Sequence, residues 1–433
     1  IVAIYKTRGF SMSREEYMPR IADDLLAAKL RQAGAVVIRG PKWCGKTETA
    51  LKHSKSALFM QDPDQRMSNQ MLAESKPSIL LRGEKPRLID EWQEAPQLWD
   101  AVRFSVDRER EIGLYILTGS ATPKEKPRHS GAGRMSFLDM RTMSLYESRE
   151  STGEVSLLAL FDAPEDIEGV SNSDVETIAF QVARGGWPSA VTMTDRSAAM
   201  ETAHNYLTAV AEEDISNVDG VSRNPDHARL VMRSFARCVG SQMAVSSMSK
   251  MVNAQGSEMS RPTFSAYLGA LRNLSIIEDL NAWEPSLRAK ARISRTPKRY
   301  FADPSLAAAA LGASPDTLLK DMPTLGMLYE ALCIRDLRVY AQKNHGQVFF
   351  YRDNVGLEAD AVVALRDGRW GLVEIKLNQS QADAASDSLR RVANKVDQTI
   401  MGAPSFLLVV TADGYAYRRN DGVYVVPIGC LKP

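Results

Sequence analysis

Between a β-like apolar run, Ala35–Ile38, and a stretch of helix-compatible residues lies Gly40-Pro-Lys-Trp-Cys-Gly-Lys-Thr47. Few short patterns constrain a fold as tightly. Glycine at the first and sixth positions lets the backbone curl so that successive N–H groups point inward at phosphate oxygens. Lys46 then reaches the β- and γ-phosphates, and the Thr47 hydroxyl is placed to ligate Mg²⁺. A helix opening here aims its positive dipole end at the same anion. A chance glycine-rich turn would also satisfy the pattern; a strand before it and a helix after it favour the nucleotide reading. The expected nucleotide contacts are Gly40, Pro41, Lys42, Trp43, Cys44, Gly45, Lys46, Thr47 and Glu48.

A strand–loop–helix unit of this kind calls for further parallel strands joined by crossover helices. Ala57–Met60, Arg87–Glu91 and Gly113–Ser120 read as those strands. Arg14 to Gln32 reads as an amphipathic helix leading in, with Ile21, Leu25, Leu26 and Leu30 on one stripe. Ligands of such sheets bind at the C-terminal strand edge. There Asp90 suits a water-mediated second hold on Mg²⁺, and Glu91 suits orienting and deprotonating an attacking water. Thr118 and Ser120 end the next strand, where a polar side chain can sense the γ-phosphate; as ordinary turn residues they would do nothing. Phosphoryl transfer also gains from a cation placed against transition-state charge, often from a neighbouring subunit. Arg134 is the candidate, with Lys126 and Arg128 nearby, against a plain surface-charge role for all three.

The chain has 433 residues, enough for two to four domains. Its 44% hydrophobic and 25% charged content is that of a soluble globular protein. A net charge of +1 makes no global lure for nucleic acid, so any such binding rests on local patches. Cys44, Cys238, Cys333 and Cys430 are dispersed and read as reduced thiols, and the scattered histidines argue against a zinc site. No apolar run approaches the roughly 18 residues of a membrane span, the start lacks a signal-peptide pattern, and cytoplasm is the expected location.

Downstream, Ser173 to Asp214 is helical, broken by Gly185-Gly-Trp-Pro188, and reads as a small lid. A second unit has a helix start with Ser260 as N-cap and Pro262 in the first turn. Phe264, Tyr267, Leu268, Leu271 and Leu274 follow at helical spacing, then strands at Ile276–Leu280 and Arg299–Phe301. This is a helix-turn-helix with a wing. Arg288, Lys290, Arg292, Arg295, Lys298 and Arg299 fall in a dozen residues without one acid and are the candidate DNA contacts. A solvated basic face is the plain alternative.

In the last unit, alternation puts Glu358 and Asp360 on one face of a strand, and Glu374 and Lys376 on one face of the next. Two acids and a lysine on adjacent strands can hold one or two Mg²⁺ and polarise a phosphodiester, with Asp360 and Glu374 as metal ligands. Glu330 can approach from the preceding helix. A Glu–Lys ion pair on a fold used only for binding is the alternative.

Gly40–Thr47, Leu88-Ile-Asp-Glu91, Leu117-Thr-Gly-Ser-Ala-Thr-Pro123, Gly131-Ala-Gly-Arg134 and Gly185-Gly-Trp-Pro188 together resemble a large prokaryotic family of AAA+ ATPases with an uncharacterised C-terminal region. The resemblance covers nearly the whole chain. It implies an α/β protein: an AAA+ P-loop core over residues 1–172, a helical lid and linker over 173–225, a winged-helix domain over 226–318, and a PD-(D/E)xK nuclease-like domain over 319–433. It further implies a Gly-x-Pro turn near the adenine, at Gly186 and Pro188, and a ring of identical copies, expected to be hexameric. In the nuclease-like fold Asp360 is the lone acid, Glu374 and Lys376 the E-x-K, and Glu330 the helix acid.

Two uses follow from these readings. One is an Mg²⁺-dependent ATPase acting on duplex or branched DNA, with or without strand cleavage. The other is a nucleotide-controlled regulatory switch whose nuclease-like domain is inert and whose partner is a protein.

Overall fold

Val36 and Ile38 point to one side of the first strand, Ala35 and Val37 to the other, and all four are buried. Burial on both faces is what a parallel sheet covered by helices requires. The computed structural model describes residues 17–120, 129–254, 258–284 and 296–433. Its first unit runs α1 (Ile21–Leu30), β1 (Ala35–Arg39), α2 (Lys46–His53), β2 (Ser56–Phe59), α3 (Arg66–Ser75), β3 (Arg87–Asp90), α4 (Gln97–Glu109), β4 (Tyr115–Gly119) and β5 (Met135–Asp139). The sheet is parallel throughout, in the order β2-β3-β4-β1-β5. Leu98, Trp99, Val102 and Val106 of α4 cover the Ala35 and Val37 side. Leu25, Leu26 and Ala50 of α1 and α2 cover the other. Each fully buried Leu or Val contributes about 1.5–3 kcal/mol relative to exposure.

Two features go beyond the sequence reading. Strand β4 lies between β1 and β3, so the Asp90–Glu91 pair stands on the next strand but one from the phosphate loop. Strand β5 was not anticipated: as an edge strand it buries only Met135 and Leu138 of its five residues, too few to mark a period.

The short strands β6 (Val155–Ser156) and β7 (Gly169–Val170) pair with the C-terminal part of the chain, and Phe161 packs edge-on against Phe406 at 4.9 Å. Residues 155–156 and 169–170, inside the expected 1–172 core, thus lie beside strands near the C-terminal end of the chain.

The lid comprises α5 (Val175–Arg184), α6 (Pro188–Thr192), α7 (Arg196–Ala209), a π-helical turn at Val210–Asp214, and α8 (Ile215–Asn217). The middle unit follows with α9 (Pro225–Ala236), α10 (Val245–Asn253), α11 (Arg261–Asn273), β8 (Ile277–Leu280), β9 (Lys298–Phe301), α12 (Pro304–Leu311) and α13 (Pro315–Lys320). Ser260 caps α11 by accepting from the Thr263 N–H at 3.2 Å, with Pro262 in the first turn. Strands β8 and β9 form an antiparallel pair after three helices. Ile178, Ala203 and Tyr206 of the lid share an apolar cluster with Val231, Phe235 and Leu306 of the middle unit, and the same cluster takes in Leu26 of the first unit and Leu328 of the last.

The last unit opens with the long helix α14 (Met322–Lys343), followed by β10 (Gln347–Arg352), β11 (Glu358–Ala364), β12 (Trp370–Lys376), α15 (Ala382–Lys395), α16 (Gln398–Met401), β13 (Phe406–Thr411), β14 (Tyr415–Arg418), β15 (Tyr424–Pro427) and β16 (Leu431–Lys432). Its sheet has the order β10-β11-β12-β13-β15-β14-β7. Strands β10, β11 and β12 form an antiparallel meander, whereas β13 and β15 run parallel to β12 and each other. Leu389 and Val392 of α15 pack on one face of this sheet, and Leu328, Leu332 and Leu337 of α14 on the other. Among the described residues no helix is long and apolar enough to cross a membrane.

Candidate nucleotide site and carboxylate pocket

The phosphate loop is held in its curl by contacts that leave no room for larger residues. Gly40 has φ +153°, and a Cβ there would fall 2.1 Å from the Met140 carbonyl oxygen. Gly45, at φ +100°, is the N-cap of α2, so the first-turn N–H groups of that helix face the loop's concavity. The Lys46 ammonium is folded back over the loop, donating to the carbonyls of Gly40 at 3.1 Å and Pro41 at 2.7 Å. It is poised inside the curl rather than spent on an acid.

Thr47 Oγ1 donates to Asp90 Oδ1 at 2.8 Å, so the hydroxyl of the loop and the carboxylate of β3 meet although their strands are not adjacent. Thr118, on the intervening strand β4, donates to the same Asp90 oxygen at 2.5 Å. Glu91 takes a left-handed backbone conformation, φ +53°, that turns it away from the strand direction. Its carboxylate accepts from Gln93 and, at 3.3 Å, from the buried Ser120 hydroxyl. The structure therefore brings Lys46, Thr47, Asp90, Glu91, Thr118 and Ser120 to one edge of the sheet. Thr47 and Asp90 together are the oxygen donors that a Mg²⁺ bound with a triphosphate uses. Glu48 lies exposed on the first turn of α2, and Cys44 is buried beneath the loop.

The lid closes on this loop. Pro188 comes within 3.6 Å of where a Gly45 Cβ would lie. Trp43 meets Tyr206 edge-on at 5.8 Å, and Lys42 pairs with Asp214 at 2.7 Å. One loop contact had no sequence signal at all: Arg20, buried ahead of α1, donates to the Cys44 carbonyl at 2.7 Å and pairs with Glu147 at 3.0 Å.

Beyond the lid, a buried polar junction ties the units together. Asp303 accepts from the Thr142 hydroxyl at 2.6 Å, the Gly186 N–H at 3.0 Å and Arg335 at 3.0 Å. Arg335 is shared with Asp336, which also accepts from the Leu145 N–H at 2.9 Å. One arginine cannot hold two buried carboxylates equally. Burial would raise Asp303, but Arg335 and its several hydrogen bonds hold it below the usual range. Burial wins at Asp336, pushing it up to about 6 against the pull of Arg335.

In the last unit, Glu330, Glu358, Asp360 and Glu374 line a cavity of about 650 Å³, with Lys298 at its floor and Arg352, Arg391 and Lys395 also on its walls. The predicted acids do converge. They converge on a lysine: Lys298 Nζ lies 2.8 Å from Glu358, 3.2 Å from Glu330 and 3.8 Å from Asp360. Lys376 pairs with Glu374 at 2.7 Å, Tyr300 donates to Glu330 at 2.6 Å, and Asp360 accepts from the Ile375 N–H at 2.8 Å. The four carboxylates crowd Lys298 and Lys376, with Arg352 also 3.7 Å from Glu358. Burial, then the charge of Asp360, pushes both Glu330 and Glu374 up to about 7. Among the described residues no group of three or more His, Cys, Asp or Glu side chains is arranged to hold a metal ion.

With both sites in view, the comparisons divide the chain. Residues 32–148 match the AAA domain family, 175–317 a domain of unknown function (DUF8612), and 325–431 another (DUF4143). The first unit is an AAA-type P-loop domain. Uncharacterized proteins of Mycobacterium tuberculosis and Mycobacterium bovis are each 24% identical over 410 residues, 93% of this chain and 82% of theirs. The Walker-type ATPase of Pyrococcus abyssi is similar over 69% of this chain and 97% of its own, with 12% identity and a TM-score of 0.41.

Two predicted sets need correction or placement. Lys298 and Arg299 do not lie along a solvent-facing wing. Both are buried, Lys298 among the acids just named and Arg299 donating to the Met243 carbonyl at 2.6 Å. All four residues of β9 are covered, so its basics face protein instead of phosphate. Arg288, Lys290, Arg292 and Arg295, like Lys126 and Arg128, lie outside the described residues. Arg134 immediately precedes β5, at the sheet edge opposite its own phosphate loop, half-exposed and paired with Asp107 at 2.7 Å.

Proposed function

We propose that this chain is a magnesium-dependent ATPase of the AAA class that assembles as a ring of identical copies, a hexamer, and acts on duplex or branched DNA. The Thr47–Asp90 hydrogen bond, with Glu91 one residue further on, carries the ATPase part of this reading. Lys46 and the first-turn amides of α2 bind the β- and γ-phosphates, Thr47 and Asp90 hold the ion, and Glu91 accepts the proton of the attacking water. Bound Mg²⁺ supplies charge neutralisation between the phosphates. Ser120 links the end of β4 to Glu91, and Pro188 borders the adenine. Arg134, turned away from its own loop, serves the loop of a neighbouring copy.

The DNA part is supported by Arg288, Lys290, Arg292 and Arg295, four basics without an intervening acid, and by Arg391 and Lys395 exposed at the mouth of the pocket. In this reading Glu330, Asp360, Glu374 and Lys376 form a PD-(D/E)xK-type site for a phosphodiester. A second reading, a nucleotide-controlled switch with this site used for binding alone, is favoured by the lysine seated among its acids.

The test is the ATPase rate with Mg²⁺, for wild type and Lys46→Ala, with and without single-stranded, duplex and branched DNA, alongside mass in solution with a non-hydrolysable analogue. Several-fold stimulation by one DNA form and a ring-sized mass support the first reading. Slow turnover indifferent to DNA hands the chain to the second. Absence of Mg²⁺-dependent hydrolysis in wild type removes both.

A further inference from the structure

A nuclease-like carboxylate cluster implies a divalent cation, and the residues present do not fit one. Mg²⁺ or Mn²⁺ draws oxygens to about 2.0–2.2 Å and is held by carboxylates left free to face it. Here Glu330 and Glu358 meet the Lys298 ammonium at 3.2 and 2.8 Å, distances suited to N–H···O contacts, and Asp360 stands at ion-pair distance, 3.8 Å. The Lys298 side chain is only 5% exposed, so these are not passing surface pairs. It arrives from β9 of the middle unit, whereas every acid it meets belongs to the last unit. One further acid faces this cavity: Glu374, whose Oε1 is held by the Lys376 ammonium at 2.7 Å. Glu374 is 8% exposed, lines the same cavity, and its Oε2 has no hydrogen-bond partner among the described residues.

We infer that Lys298 is the resident cation of this cluster, a plug that the middle unit inserts and that excludes a divalent metal from the last unit's site while β9 is seated. The inference rests on reading the last unit as nuclease-like and concerns how that site is kept closed. The ammonium supplies one positive charge where a metal would supply two, and it offers no vacant position to water or phosphate. The site is therefore closed to metal-assisted hydrolysis as arranged. The plug is also in mechanical register with the nucleotide domain. Its pairing partner β8 carries Glu278, half-buried between Arg141 beyond β5 at 3.0 Å and Arg338 of α14, the helix that also carries Glu330.

The experiment uses the full chain without nucleotide and Mn²⁺ as the probe, counted by electron paramagnetic resonance and equilibrium dialysis. Lys298→Met is expected to gain one Mn²⁺ per chain, bound at least about tenfold more tightly than any in wild type, and Asp360→Asn added to it should abolish the gain. Lys298→Gln, which keeps a hydrogen-bond donor without the charge, serves if the methionine variant does not fold, and the same gain is expected. A wild-type chain that already binds Mn²⁺ in an Asp360-dependent way overturns the plug and leaves the nuclease-like site standing. If neither the wild type nor the two Lys298 variants show Asp360-dependent binding, the plug and the nuclease-like reading fall together.

Discussion

Thr47 and Asp90, 43 residues apart in the chain, are joined by a 2.8 Å hydrogen bond from the threonine hydroxyl to Asp90 Oδ1. The bond spans a strand. β4 lies between β1, the strand that leads into the loop and Thr47, and β3, which ends in Asp90, and its Thr118 supports Asp90 from the side. The carboxylate is thereby fixed by two hydroxyls before any nucleotide arrives, and its position does not depend on a flexible loop. That preorganisation is the physical content of the nucleotide site.

Thr47→Ala removes one of those hydroxyls, and with it the proposed metal ligand, while leaving the lysine and the amides in place. Affinity for ATP in Mg²⁺ is expected to fall by about ten- to a hundredfold, the size of a lost charge-assisted contact. Affinity in EDTA should change by less than about threefold, because the phosphate contacts remain. Isothermal titration with and without the metal separates the two. Equal losses in both conditions would mean the hydroxyl acts on the loop's shape and not on the ion.

Arg134 is half-exposed and its pair with Asp107 is worth about 0–1 kcal/mol, so Arg134→Ala should fold normally. Hydrolysis is expected to drop by about a thousandfold, in line with loss of an arginine finger. Mixing Arg134→Ala with Lys46→Ala then pairs an intact loop on one copy with an intact arginine on the next. The mixture should regain activity that neither variant has alone. A mixture no faster than the sum of its parts removes Arg134 from catalysis.

Asp336 gives a pH signature. Burial raises its folded pKa to about 6, above the roughly 3.9 of an unfolded aspartate. Between those values the folded chain keeps a proton that the unfolded chain has released, so stability falls as pH rises through the window. Asp336→Asn lacks this titration. Its unfolding free energy relative to wild type should climb by on the order of 2 kcal/mol from pH 4 to pH 6.5 and then level off. Urea unfolding across that range measures it, and a constant difference would show that Asp336 is ionised throughout.

Much of this architecture could be read before any coordinates. A glycine-hinged loop after an apolar strand, and an acidic pair closing another, are local patterns whose chemistry constrains their place. The Ser260 cap and the alternation through β11 and β12 are equally local, and Glu358, Asp360 and Glu374 do share one pocket. What escaped the sequence is set by distant partners. The two residues of β6 make no pattern, and they become a strand only because Leu431 and Lys432 lie beside them. Arg20 looks like any surface arginine until the Cys44 carbonyl and Glu147 enclose it. The basic run misled for the same reason. Composition cannot tell a lysine aimed at solvent from one drawn inward by three acids, and Lys298 is the second kind.

The central claim is that Glu91, on the residue after the Thr47-bound Asp90, activates the water that attacks a triphosphate held by Lys46. Single-turnover hydrolysis by Glu91→Gln, with ATP affinity measured on the same sample, tests it most directly. The account predicts a rate at least about a hundredfold below wild type with ATP affinity within about threefold, since the base is lost and the binding groups are kept. Hydrolysis at the wild-type rate by this variant would contradict the assignment of the site.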